Sequence, residues 1–440
     1  MVAQNLLTPS LNGRSVMQKR PGTYLALAAV LFGAILSNSG SIEAEDATPE
    51  PTAVLNVWTQ FGPDGGLSAR ARVNGGCPEI TIDGQALAMT IRSGPFAAFT
   101  DTVCEAAVPI DAKQAEIDGT GLALVPAKLD DLSIIGDTGC RIAGKRLQDC
   151  SDPTQWTYAA VIKSALANDP DIAIHVGDYI YRESACAVTS FAWCEGAPFG
   201  DTTATWEADF FTPSGPYLAG TPWIFLRGNH ELCERKGTGW FRYLASGPMP
   251  AACSDYSDPY TLTILGKRFL VLDSAAIGDT KTTPELNDEF ASQFLELRNM
   301  AEPGDWLLTH KPIAGGILDL GNGEQFVTYA TIKAVADGRV PDDLAVVISG
   351  HIHLGQVLVF EEGTDYPLQI VVGNSGTSLD KGETGTYSGE ILGAADLVDH
   401  ATVMKDFGWL NLKLDGDRFT ATFIDLEGEA TATLFLPMPR

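Results

Sequence analysis

The sequence predicts a mixed α/β (α+β) protein with a small β domain in front of its core. Three observations carry this reading. From about Leu129 onward, short apolar runs alternate with helix-patterned segments, as in a sheet covered by helices. Before that point, residues 45–128 hold short β-prone runs separated by Gly, Pro and Asp turns. Third, the apolar runs of the core repeatedly end in short loops that carry Asp, Asn, Tyr or His.

Residues 1–44 are set apart from the fold. Lys19 and Arg20 precede an apolar run from Tyr24 to Leu36, and small and polar residues follow up to Ala44. That is the shape of a secretory signal peptide, and the run is short for a membrane span. Met17 offers a more typical start for such a leader, and an uncleaved anchor is the other reading of the same run. No later segment is long and apolar enough to cross a bilayer. The expected location is therefore periplasmic or secreted.

The eight cysteines, Cys77, Cys104, Cys140, Cys150, Cys186, Cys194, Cys233 and Cys253, all follow Ala44. An even number in an exported chain points to disulfides. Pairing of sequence neighbours is the simplest scheme: 77–104, 140–150, 186–194 and 233–253. No CxxC spacing occurs, which argues against cysteine metal sites.

In the β region, residues 45–128, the runs are Ala53–Trp58, Ile80–Ile82 and Ala88–Arg92. They read as a small sandwich-like domain with no histidine. Residues 129–440 form the core. Leu132–Ile135 is a buried-type strand. Asp152-Pro153 reads as a helix start with the helix running to about Ala167. Asp171–Val176 and Trp223–Leu226 are strands, and Tyr260–Leu265 with Arg268–Leu272 form a hairpin around Gly266-Lys267. A helix over Asn287–Met300 precedes a strand at Asp305–Leu308. A helix over Thr328–Ala336 precedes strands at Leu344–Ile348 and Tyr366–Val372. Leu410–Leu414 and Arg418–Ile424 close the chain as a hairpin.

The formal net charge is −27 over 440 residues. Without residues 1–44 it is −29, from 26 basic and 55 acidic residues. Such a chain does not bind nucleic acid through a basic surface. An anionic substrate meets an unfavourable field, so its site needs local positive charge, which bound metal supplies.

Five strand-end loops hold the chemistry: Gly136-Asp137-Thr138-Gly139, Gly177-Asp178-Tyr179-Ile180-Tyr181, Gly228-Asn229-His230-Glu231, Leu307-Leu308-Thr309-His310 and Gly350-His351-Ile352-His353. Alone, a Gly-Asp is ordinarily a turn, and a single histidine is ordinarily structural. As a set they are more specific. Loops at the carboxyl ends of strands converge on one crevice in open α/β sheets. Asp137, Asp178, Asn229, His310, His351 and His353 are oxygen and nitrogen donors suited to two cations about 3.5–4 Å apart. One carboxylate must bridge ions that close.

This ordered set resembles the calcineurin-like metallophosphoesterases, and within them the purple acid phosphatase branch, over roughly residues 130–430. Most of that superfamily has a ligand histidine where this chain has Gly139. The purple branch is similar to this chain in having Gly there and Tyr at the position of Tyr181, a phenolate donor suited to Fe(III). Leu307 stands where that branch usually has Val. The resemblance implies a four-layer αββα sandwich of two mixed sheets. It implies that Asp137, Tyr181 and His353 bind one metal, that Asn229, His310 and His351 bind a second, and that Asp178 bridges them. The ions implied are iron with zinc, manganese or a second iron. His230 is expected to face the substrate and assist the leaving group, while hydroxide held by the metals attacks phosphorus.

The expected activity is hydrolysis of phosphate esters by an exported binuclear metalloenzyme. The alternatives are a phosphodiesterase acting on nucleotides or phospholipid head groups, and a non-catalytic binding protein on the same fold. The loops Glu183–Pro222 and Asp279–Asn287 are the expected seat of substrate choice. Asp273 is a candidate partner for a ligating histidine, and Arg182, Arg227 and Arg235 flank the loops. His175 reads as structural. The sequence carries no reading of oligomeric state.

Overall fold

Alternation along the central strands builds two apolar interfaces at once. In the strand Asp131–Ile135, Leu132 and Ile134 turn inward while Ile135 packs on the opposite side. Ile172–His175 and Trp223–Phe225 repeat this, with Ile174 and Ile224 inward and Ala173 and Phe225 outward. In the facing sheet, Leu308, Ile348 and Ile370 turn inward while Leu307, Val347 and Val371 turn outward. Each fully buried side chain of this kind contributes about 1.5–3 kcal/mol, so the layering itself carries the fold.

The computed structural model describes residues 52–437, apart from Asn168, residues 188–190 and Asp417. The expected leader at 1–44 lies outside the described residues. The first sheet has ten strands, in the order Ala430–Pro437, Arg418–Asp425, Gly408–Asp415, Asp131–Ile135, Ile172–His175, Trp223–Phe225, Ala53–Phe61, Leu67–Asn74, Thr102–Val108 and Thr90–Ser93. The second has eight, in the order Tyr260–Ile264, Lys267–Leu272, Trp306–Thr309, Val346–Ser349, Gln369–Val372, Gly355–Phe360, Val398–Met404 and Gly385–Ser388. Both are mixed. Helices Tyr158–Leu166 and Gly237–Tyr243 cover the first sheet, through Val161, Ile162, Trp240 and Tyr243. Helices Pro284–Met300 and Ala330–Ala336 cover the second, through Phe290, Phe294, Leu297 and Ile332. The result is the helix–sheet–sheet–helix sandwich.

The N-terminal β region is present, and part of it is built into the core sheet. Gln60 pairs with Trp223 across the first parallel contact between the two regions. The remainder forms a four-stranded sheet of Gln85–Ala88, Glu79–Ile82, Ala115–Ile117 and Thr120–Gly121. A buried ionic hub fastens this region to the core. Asp101 lies 3.0 Å from both Arg72 Nε and Arg242 Nη2, and Tyr243 donates its hydroxyl to it at 3.0 Å. Asp101→Ala leaves the buried Arg242 guanidinium without a carboxylate and Arg72 with Glu207 alone, so it is expected to destabilise the protein by about 3–5 kcal/mol, read as a lower urea midpoint. An unchanged midpoint would show that the hub contributes nothing.

All four disulfides join sequence neighbours: Cys77–Cys104, Cys140–Cys150, Cys186–Cys194 and Cys233–Cys253. No helix among the described residues is long and apolar enough to cross a membrane.

Some local expectations shift. The first helix begins at Tyr158, not at Pro153, because the Asp152 carboxylate accepts from Thr154 N and Thr154 Oγ1 and closes a turn there instead. The hairpin turn is Leu265-Gly266, both at positive φ, one residue earlier than expected.

Candidate active site

The donors gather at one end of both sheets because every parallel strand that carries one points the same way. Asp137 and Asp178 follow neighbouring strands of the first sheet, and His310 and His351 follow neighbouring strands of the second. Three of these loops leave their strands in a left-handed conformation, with φ 56° at Asp137, 60° at Asp178 and 72° at His351. Backbone of this kind costs about 1–3 kcal/mol per residue and persists where surrounding structure over-determines it. Two glycines let the loops close. A side chain at Gly139 would press on Tyr179 O and Tyr181 N, and one at Gly228 would overlap the Asp178 backbone and carboxylate. Gly139 therefore has no room for a ligand, and the Tyr181 loop packs against it.

The structure brings together all eight residues singled out from the sequence. The Tyr181 hydroxyl donates towards Asp137 Oδ1 at 2.8 Å and Asp178 Oδ2 at 2.9 Å, and lies 3.0 Å from His353 Nε2. On the other side, Asn229 Oδ1 lies 3.1 Å from His310 Nε2 and 2.8 Å from His351 Nδ1. His310 Nε2 is 3.3 Å from Asp178 Oδ2, so Asp178 belongs to both groups. Donor atoms on one cation with bonds near 2.1 Å stand about 3.0–3.4 Å from one another, and the separations here run from 2.8 to 3.3 Å. Asp178, His310 and His351 also place one donor atom each within 4.8 Å of one another.

The electrostatics suit cation binding. Burial and the nearby Asp178 charge push Asp137 well above the usual carboxylate range, as expected when two carboxylates share a site. Burial opposes charge on Asp178, but His310 and His230 hold it well below the ordinary value. Burial likewise opposes charge on His310, and Asp178 outweighs it, lifting the imidazole to about 9. Burial, with the Lys311 charge at His351, lowers His351 and His353 to about 4. Both rings are thus neutral near pH 7 and keep a lone pair for coordination.

Outer contacts aim the rings. His310 Nδ1 donates to Val176 O at 2.8 Å, His351 Nε2 faces Asp279 at 3.1 Å, and His353 Nδ1 faces Ser378 O at 3.1 Å. Asp273 is not among these partners. It contacts Arg227 and Ser257 instead, because its strand lies one position outward from the one that carries His310. His230 sits in the cleft wall. Its backbone N–H donates to Asp178 Oδ1 at 2.8 Å, its ring lies 3.7 Å from that of Tyr181, and its Nδ1 is 2.7 Å from Glu183. His175 is fully buried with its Nε2 2.9 Å from Thr138 Oγ1, a structural position.

Residues that sequence reading missed complete the site. Glu231, fully buried, accepts backbone N–H groups from Asp178, Tyr179 and Gly228 and so ties two loops together. Asp279, Tyr329, Asp380 and Arg141 line a cleft of ≈ 660 Å³ over the donors. None of the described residues among 184–222 lines it. Asp209 of that segment instead packs behind Tyr181, where it holds Arg182. Glu231 lies inside a quoted motif, and Asp279 opens a loop expected to bear on substrate choice; Arg141, Tyr329 and Asp380 had no signal in the sequence.

Two mixed sheets that present carboxylate, phenol, amide and imidazole groups from common strand ends define a phosphoesterase of the metal-dependent class. The chain belongs to the calcineurin-like phosphoesterase family, whose model matches residues 133–355 and so spans every donor. Among solved structures, the chain is similar to a purple acid phosphatase from yellow lupin (Lupinus luteus) seeds, at 12% identity and TM-score 0.56, over 88% of this chain and 74% of that one. It is also similar to PhoD, at 10% identity and TM-score 0.51, over 88% and 90%. These likenesses are of fold. No curated protein sequence matches the chain significantly.

Proposed function

We propose that the protein is an exported binuclear metal-dependent hydrolase of phosphate esters. The observation that carries this is the pair of donor groups that share Asp178: Asp137, Tyr181 and His353 on one side, Asn229, His310 and His351 on the other. The set mixes carboxylate, phenol and amide oxygen with imidazole nitrogen, which fits iron beside zinc, manganese or iron. Ions held there supply positive charge for the phosphoryl oxygens and a water acidic enough to ionise near neutral pH. His230 does the proton work of the chain's own residues. Nδ1 is directed at Glu183, and Nε2, 3.9 Å from Asp178 Oδ2 in a residue that lines the cleft, donates to the leaving alkoxide. Four disulfides accord with an oxidising compartment, and residues 1–44 serve as the export signal.

The test is hydrolysis of an aryl phosphate monoester beside the matching diester by mature, oxidised protein. Each is measured as isolated, after chelation and after metal is restored. The expected result is turnover of the monoester that chelation abolishes and metal returns. A preference for the diester would move the substrate class to phosphodiesters. No turnover from protein shown to carry two metals would overturn the reading.

A further inference from the structure

A strongly acidic chain whose cleft is lined by Asp178, Asp279 and Asp380 needs its own cationic contact for an anionic ester. The three arginines beside the sequence motifs are already engaged. Arg182 pairs with Asp209, Arg227 with Asp273 and the carbonyls of Glu231 and Ser254, and Arg235 with Glu183 and Asn229 O. Arg141 is different. It follows Cys140 in a short hairpin in which Ile142–Ala143 pairs with Arg146–Leu147, closed by the Cys140–Cys150 bridge. Its guanidinium carbon lies 4.7 Å from the ring centre of Tyr181, at the cleft wall.

Among the described residues no carboxylate stands at ion-pair distance from Arg141. Its Nε is buried without a hydrogen-bond partner. Its Nη2 lies 3.3 Å from His353 Nδ1. In the tautomer that gives this nitrogen's hydrogen to Ser378 O at 3.1 Å and leaves Nε2 free for a cation, two donors face each other and no hydrogen bond forms. A planar fork with unused N–H groups, stacked on Tyr181 beside the donor cluster, matches the edge of a tetrahedral oxyanion.

We propose that Arg141 grips a non-bridging phosphoryl oxygen of the substrate and that the Cys140–Cys150 hairpin holds it in position. This rests on the phosphoesterase reading above. The test compares wild type with Arg141→Ala and Arg141→Lys in the metal-loaded, oxidised full chain. It reads kcat/KM on the aryl phosphate, binding of inorganic phosphate by calorimetry, and metal content. Arg141→Ala is expected to lose about 10²-fold in kcat/KM and at least about tenfold in phosphate affinity, with metal content unchanged. Arg141→Lys restores part of both, since it keeps the charge without the fork.

Phosphate affinity within about twofold of wild type in Arg141→Ala would overturn the proposal while leaving the activity standing. Loss of metal in that variant would also overturn it, by showing that Arg141 supports Tyr181 and His353 rather than substrate. Wild-type protein that binds phosphate through Arg141 yet hydrolyses neither ester would sink the proposed activity and keep the anion contact. Protein that neither binds nor hydrolyses would sink both.

Discussion

Asp178→Asn is expected to lower phosphate-ester turnover by about 10³-fold or more and to leave the fold intact. The substitution is close to isosteric, and asparagine tolerates the left-handed backbone that Asp178 adopts at φ 60°. It also retains an oxygen to accept from the His230 N–H, now at 2.8 Å. What it loses is the negative charge shared by both donor groups. His310 and Tyr181 both meet Oδ2, at 3.3 and 2.9 Å, so an amide that keeps its oxygen at the His230 N–H sets its NH2 group against them. A second readout follows from the same loss. The Asp178 charge is what lifts His310 to about 9, so the His310 titration in metal-free protein moves down. Hydrolysis assays with metal content per chain decide the first point, and imidazole NMR decides the second. Full activity in a folded, metal-loaded variant would remove this cluster from the chemistry.

Glu231→Ala is expected to be the most damaging single change to the scaffold of the site. The carboxylate accepts from Asp178 N at 3.0 Å, Tyr179 N at 2.9 Å and Gly228 N at 3.1 Å. Each buried N–H left without a partner costs about 1–3 kcal/mol, so a loss of about 3–5 kcal/mol is expected even if water re-enters. Urea unfolding measures it, and a loss under about 1 kcal/mol would show that the loops hold without this residue.

The same residue leaves a pH signature in metal-free protein. Burial, then the Asp178 charge, pushes its carboxyl up to about 7 from an ordinary 4.5. The folded chain therefore binds the proton more tightly than the unfolded one. This contribution to stability is complete below about pH 4.5 and lost as pH rises through about 7. Glu231→Gln removes that slope, and a slope that persists in the variant would assign it to another group.

The site was more legible than its support. Asp137, Asp178, Asn229, His310, His351 and His353 announce themselves because each follows an apolar run, and the end of a strand is a position local pattern can locate. Strand order was not legible. The contact of Leu410 with Ile134 and that of Gln60 with Trp223 join residues far apart in the chain, and no local pattern encodes them. For that reason residues 45–128 read as a small sandwich-like domain, with nothing in the sequence to show that strands Ala53–Phe61 and Leu67–Asn74 extend the core sheet. The helical segment Thr212–Leu218 was hidden by its own Pro213, Gly215 and Pro216, which suppress the usual signal. Arg141 and Asp279 lie in loops of no set period, where only the folded chain shows that they face the donors.

The donors divide between the two sheets. Asp137, Asp178, Tyr181 and Asn229 extend from the ten-stranded sheet, while His310, His351 and His353 extend from the eight-stranded one. A cation coordinated by both groups is a rivet across the seam of the sandwich. It fastens only the correctly registered pair of sheets and has no counterpart in the unfolded chain. At a free concentration 100 times its dissociation constant, one such ion adds about 2.7 kcal/mol to the native state. On the proposed function, durability and activity draw on the same supply: a molecule starved of metal would lose its working lifetime together with its turnover.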